Sequence, residues 1–169
     1  MKKVLISLAL ALALVAAVAV PAMAAPVEKT ASVTVTEVIS FTVTDAGATG
    51  INFGSLNQGT ADNPEAAQNG AGAVTLAVAA ETNVDCNVQI KASGDFSGGA
   101  THTIALSNAH WDTDNAVAGY TPMTTTYATI GTSTHGVAYS QDVWHWLTIP
   151  SGQHAGDYTS TYYYQAIPQ

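Results

Sequence analysis

The chain has 169 residues, of which 47% are hydrophobic and only 9% charged, where a typical soluble domain carries about 25% charged residues. Its 4 basic residues are all lysine and its 12 acids bring the formal charge to −8, which argues against nucleic acid or an anionic membrane surface as a partner, since both require clustered Lys and Arg. One cysteine, Cys86, excludes an intrachain disulfide and any multi-cysteine metal site.

The N-terminus has the pattern of an export leader. Met1, Lys2 and Lys3 form a basic head, and residues 4–20 are 17 uncharged, mostly apolar residues. Pro21 follows, and Ala22, Met23 and Ala24 supply the small-x-small pattern that a signal peptidase accepts. Cleavage after Ala24 predicts a 1–24 signal peptide and a single 25–169 domain; a retained N-terminal anchor is the alternative. After cleavage only Lys29 and Lys91 stand against the twelve acids, a net charge of −10. Thr, Ser, Asn, Gln and Gly must then cover the surface, which suits close lateral contact between copies. No second apolar run of spanning length follows, so no stable membrane span is expected once the leader is removed.

The remainder reads as strands. Residues 31–44 (ASVTVTEVISFTVT) alternate, with Val33, Val35, Ile39, Phe41 and Val43 on one face and Ser or Thr on the other. Glu37 and the off-phase Val38 predict a bulge or break. A helical turn is expected over 61–68, with Asn63 as cap and Pro64 at the first helical position. Residues 84–92 alternate more cleanly, with Val84, Cys86, Val88, Ile90 and Ala92 inward. Weaker strand patterns cover 73–79, 101–106, 124–130, 137–139, 143–149 and 158–167, separated by turn residues such as Gly47, Gly70, Gly94, Gly99, Gly131 and Gly152. Roughly eight short strands with Gly- and Asn-rich connections predict an all-β, antiparallel sandwich of the immunoglobulin-like or jelly-roll kind.

Few residues point to chemistry. His102, His110, His135, His145 and His154 show no zinc-binding spacing and read as surface or rim histidines. Asp112 and Asp114 resemble the opening of a calcium loop, but Val117 and Met123 stand where its Gly and Glu belong, leaving a weak calcium candidate. Cys86 lies on an inward face beside Asp85, the setting of a small buried hydrophobe and not of a nucleophile. Trp144 and Trp146 share one strand face, followed by Tyr162 and Tyr164; the four read either as core or as an aromatic platform for glycans or a neighbouring subunit. No catalytic residue and no cofactor is expected.

The leader, the Thr/Val-rich first strand, residues 51–60 (INFGSLNQGT) and residues 146–160 (WLTIPSGQHAGDYTS) together resemble secreted β-sandwich subunits of surface filaments and matrix fibres. The Phe53-Gly54 turn and the final Gly156-x-Tyr158 strand are similar to those of spore-coat-U-type fimbrial domains. The plan also looks like TasA/camelysin-type biofilm fibre proteins and their archaeal pilus relatives. The resemblance implies a non-catalytic extracellular structural subunit that assembles with copies of itself, an extended N-terminal strand completing the next subunit's sheet. Val33, Val35, Ile39, Phe41 and Val43 would fill alternate pockets; the alternative is that they form only the first strand of their own domain. Two further expectations are a secreted carbohydrate-binding module using exposed Trp and Tyr, and a secreted metal-dependent hydrolase, since camelysin-type relatives are described as proteases.

Overall fold

The structure, a computed structural model, describes residues 28–45, 50–66, 73–99 and 101–169. The expected leader and the turn residues Gly47 and Gly70 lie outside these. A compact unit runs from Val35 to Gln169.

Alternation decides the interior strands. In β3 (Val74–Val78), Val74, Leu76 and Val78 are buried while Thr75 and Ala77 are half-buried. In β4 (Cys86–Ala92), Cys86, Val88, Ile90 and Ala92 are buried and the residues between them only partly covered. Each such Val, Leu or Ile contributes about 1.5–3 kcal/mol by leaving water. These residues enter one apolar cluster with Phe96, Ile104, Leu106, Trp111, Val143 and Leu147.

The other strands are β1 (Phe41–Asp45), β2 (Asn63–Pro64), β5 (Phe96–Gly98), β6 (His102–Ile104), β7 (Ala109–Asp112), β8 (Thr121–Pro122), β9 (Ala128–Ser133), β10 (Tyr139–Leu147) and β11 (Tyr162–Pro168). The fold is nearly all-β with antiparallel pairing throughout these strands. One sheet runs β1-β3-β10-β7-β8, with β2 also paired to β10; a second runs β11-β4-β9; β5 and β6 form a hairpin. Strand β10 divides its pairing: Tyr139–Val143 lie against β3, and Trp144–Leu147 against β7. In its second half His145, Trp146 and Leu147 are all buried, so both faces are covered.

Several expectations need correcting. Of residues 31–44 only the last four, within β1, become strand. Upstream, Asn83 and Thr82 replace a ladder partner. Val38 N–H donates to Asn83 Oδ1 (2.8 Å), Asn83 Nδ2 donates to the Thr36 carbonyl (2.8 Å), Asn83 N–H donates to the Val38 carbonyl (3.1 Å), and Ser40 N–H donates to Thr82 Oγ1 (3.0 Å). With its hydrogen bonds met by a turn, 36–40 stays irregular. Asn63 and Pro64 form β2 and do not cap or open a helix, Asn63 Nδ2 donating to the Leu147 carbonyl (2.7 Å) and tying the segment to β10; within 61–68, 3-10 geometry is found only at Ala66, and 67–68 lie outside the described residues. The separate runs at 137–139 and 143–149 fuse into β10. Gly131 is not a turn residue: it lies within β9 opposite Val88, at a register shift between Val88 and Gln89, and a Cβ there would strike the Tyr139 hydroxyl. Strand β7 had no alternating run long enough to show itself, yet it buries Ala109 and Trp111.

Candidate functional site: a buried carboxyl–imidazole–phenol cluster

Strand β10 carries the sequence V-W-H-W-L, and its alternation places His145 in phase with Val143 and Leu147 on a buried face. His145 is 0% exposed and Glu65 is 1% exposed, the most deeply buried titratable pair described. Glu65 arrives through β2. Pairing of Asn63 with Leu147 and of Pro64 with Trp146 carries the next residue onto His145, where Glu65 N–H donates to the His145 carbonyl (3.1 Å). The segment is pinned on its other side by Asp62, whose φ of 52° is left-handed, a region that Asp tolerates better than most residues. Asp62 N–H donates to Thr148 Oγ1 (3.1 Å), and Tyr120 Oη donates to Asp62 Oδ1 (3.0 Å).

Within the cluster, His145 Nδ1 lies 3.6 Å from Glu65 Oε2, and Tyr164 Oη lies 2.9 Å from His145 Nε2. A neutral imidazole protonated at Nδ1 satisfies this geometry: Tyr164 donates to Nε2, and Nδ1–H faces the carboxyl group. Tyr162 joins from the same face of β11, its ring 5.5 Å from the imidazole. Burial pushes the His145 pKa down, and the opposing pull of Glu65 and Asp45 is smaller. Burial likewise pushes the Tyr162 and Tyr164 phenols above their ordinary range, assisted by neighbouring acids. Both directions oppose ionisation, so near pH 7 the imidazole is neutral and the phenols keep their protons. The set can hold a buried polar junction together; its shifts do not prepare a phenolate or an imidazolium.

Tyr162 and Tyr164 also line a cavity of about 360 Å3, bounded further by Val43 and Asp45 of β1, Ile51, Phe53, Val74 and Phe96. Phe53 and Phe96 meet edge to face (6.4 Å, 66°), as do Phe96 and Tyr162 (6.2 Å, 82°). The Tyr162 hydroxyl is buried with no hydrogen-bond partner among the described residues.

The expected aromatic platform is divided between two places. Trp146 is 3% exposed and meets Tyr120 edge to face (6.1 Å), beside His110. Tyr162 and Tyr164 instead gather at His145, and Trp144 is half-buried opposite Asp112 on β7. Of the expected assembly residues, Val33 is 88% and Val35 75% exposed, Val43 is exposed, and Ile39 and Phe41 are half-buried. Asp112 ends β7 and Asp114 follows it, but Asp112 Oδ1 accepts the N–H groups of Thr113 (2.6 Å) and Asp114 (3.3 Å), a turn of its own making. No three His, Cys, Asp or Glu side chains among the described residues are grouped to hold a metal. Cys86 is buried, and desolvation raises its thiol pKa. His102 and His154 stack at 3.9 Å, and His135 Nδ1 lies 2.7 Å from Asp85 Oδ1.

Sequence reasoning placed Glu65 in a helical turn and His145 among the rim histidines; both belong to the core. The signal was there for His145, since its phase matches Val143 and Leu147. Glu65 gave none, because its position depends on pairing between β2 and a strand some eighty residues away. No helix among the described residues is long and apolar enough to cross a membrane. No protein-family model matches the chain, and no curated protein matches it either.

Proposed function

We propose that the chain is an exported, non-catalytic structural subunit, built as an immunoglobulin-like or jelly-roll sandwich, that assembles with copies of itself through its N-terminal segment. The observation that carries this is the exposure of Val33 (88%) and Val35 (75%), two in-phase β-branched residues in a stretch that joins no strand among the described residues. Exposed, unpaired, alternating segments add readily to a sheet edge, the ladder giving affinity and alternate side chains giving register. A receiving edge is present: β1 ends its sheet with only β3 beside it among the described strands. The 9% charged composition leaves little repulsion between adjacent copies beyond the net acidity. The direction of the shifts at His145, Tyr162 and Tyr164, all toward neutral forms, supports a structural over a catalytic reading of the buried cluster. Glycan stacking on Trp144 and Trp146 has less support, since Trp146 is 3% exposed.

The test is assembly of the purified chain, followed by light scattering and electron microscopy, against Val33→Asp/Val35→Asp. Because both side chains are exposed, the double variant keeps its melting temperature but loses oligomers. Unchanged oligomers in the variant would refute strand exchange through this segment.

A further inference from the structure

Two surface patches, one on each of the larger sheets, take no part in strand exchange at β1, and they are opposite in charge. The first lies on β11-β4-β9. Alternation in β4 buries Cys86, Val88, Ile90 and Ala92 and turns Asn87, Gln89 and Lys91 to the other face. Pairing sets Tyr163 of β11 opposite Lys91 and Gln165 opposite Gln89, and Gln165 Nε2 donates to Gln89 Oε1 (2.8 Å). Tyr127, just before β9, flanks Lys91 as well. The Lys91 Nζ lies 4.5 Å from the Tyr127 ring centroid and 5.4 Å from that of Tyr163, and both tyrosines are exposed.

From Val35 to the C-terminus Lys91 is the one lysine, without any arginine, against eleven acids. The ion pairs among the described residues join His135 to Asp85 and His145 to Glu65, and neither involves Lys91. The two ring faces hold its ammonium group without neutralising it. Tyrosine is also among the side chains enriched where protein surfaces meet.

The second patch lies on the β10–β7 part of the other sheet. Val143, His145 and Leu147 point into the core, so Asp142 and the half-buried Trp144 share the opposite face. Asp112 of β7 stands directly across from Trp144. Asp142 stands across from Thr75 and accepts its hydroxyl (2.7 Å), and the exposed Asp114 follows Asp112. An indole among acids complements an ammonium group among phenols, in charge and in aromatic area.

We infer that these two patches bind each other between copies of the chain, Lys91 of one copy meeting Asp112 and Asp142 around Trp144 of the next. Unlike patches meet, so the contact is heterologous and leaves one of each free to continue. A single exposed ion pair is weak, but repeated along an assembled fibre it adds up. The contact therefore bundles fibres side by side. It rests on the strand-exchange reading for the fibres themselves and uses neither Val33 nor Val35.

Fibres of the full chain, examined by electron microscopy and low-speed sedimentation, test this with reversed charges. The parent should bundle at about 0.05 M salt and separate into single fibres near 0.5 M, where exposed charges are screened. Lys91→Glu and Asp142→Lys should each still form fibres but need about tenfold more protein to bundle, since like charges then face each other. Lys91→Glu/Asp142→Lys should bundle again like the parent, a rescue that a folding defect in either single variant would not produce. Bundling unchanged in both single variants, or a double variant no better than either, would overturn the contact while leaving strand exchange intact. Loss of bundling in the double variant together with loss of polygalacturonate binding would overturn it too, making an acidic glycan the occupant of the Lys91 face. A parent that forms no fibres at all would overturn strand exchange and, with it, this contact.

Discussion

Replacing His145 by leucine tests whether the buried cluster is a coupled unit. His145 is 0% exposed, Glu65 1%, and His145 Nδ1 lies 3.6 Å from Glu65 Oε2. His145→Leu keeps the apolar volume roughly filled but takes the neutral imidazole away from that carboxyl group, at a cost of about 1–3 kcal/mol, as for a buried polar group left without its neighbour. It also removes the acceptor of the Tyr164 hydroxyl. Glu65→Leu leaves a neutral Nδ1–H without its acceptor and costs a similar amount, about 1–3 kcal/mol. In the double variant both needs vanish together, so its loss should fall short of the sum of the two by about 1–3 kcal/mol. At about 3–5 °C per kcal/mol for a domain of this size, His145→Leu lowers the melting temperature by about 3–15 °C, and adding Glu65→Leu lowers it by less than the two single losses together. Urea and thermal unfolding followed by tryptophan fluorescence at pH 7.5 measure the cycle. Losses that simply add, or a His145→Leu variant as stable as the parent, would refute the coupling.

The same cluster sets a pH dependence. Burial lowers the folded-state pKa of His145, so between that value and the unfolded one, about 6.5, the unfolded chain binds more protons and stability rises with pH. This contribution is complete above about pH 6.5 and is lost as pH falls through the folded value; His145→Leu should flatten that limb of the stability profile. The raised Tyr162 and Tyr164 phenols act at the other end, their contribution draining away above about pH 10. Gly98→Ala should cost about 1–3 kcal/mol in urea unfolding, because a Cβ there enters the Tyr158 ring, whose hydroxyl is fixed by Gln153 Nε2 (2.7 Å) and the His154 carbonyl (2.8 Å). Asn83→Ala removes both side-chain bonds to the 36–38 backbone and should cost about 1–2 kcal/mol. Hydrogen exchange at the Val38 amide should then rise toward that of an open segment.

What could be read beforehand follows from the range of the interactions. Strands β3 and β4 were legible because a period of two over five to seven residues survives any tertiary arrangement that buries one face. The N-terminal alternation was equally clear and still misled, since whether residues 31–40 pair depends on Asn83 and Thr82, more than forty positions away in sequence. Glu65 and His145 illustrate the same limit. An isolated acid in a polar stretch looks like surface until β2 is set against β10.

Self-assembly is the claim on which the functional reading depends, and the mass distribution of the purified chain across a concentration series tests it most directly. Strand exchange predicts oligomers or fibres that grow with concentration, are visible by electron microscopy, and disappear in Val33→Asp/Val35→Asp while the melting temperature holds. A parent chain that stays monomeric from micromolar to millimolar concentration would contradict it.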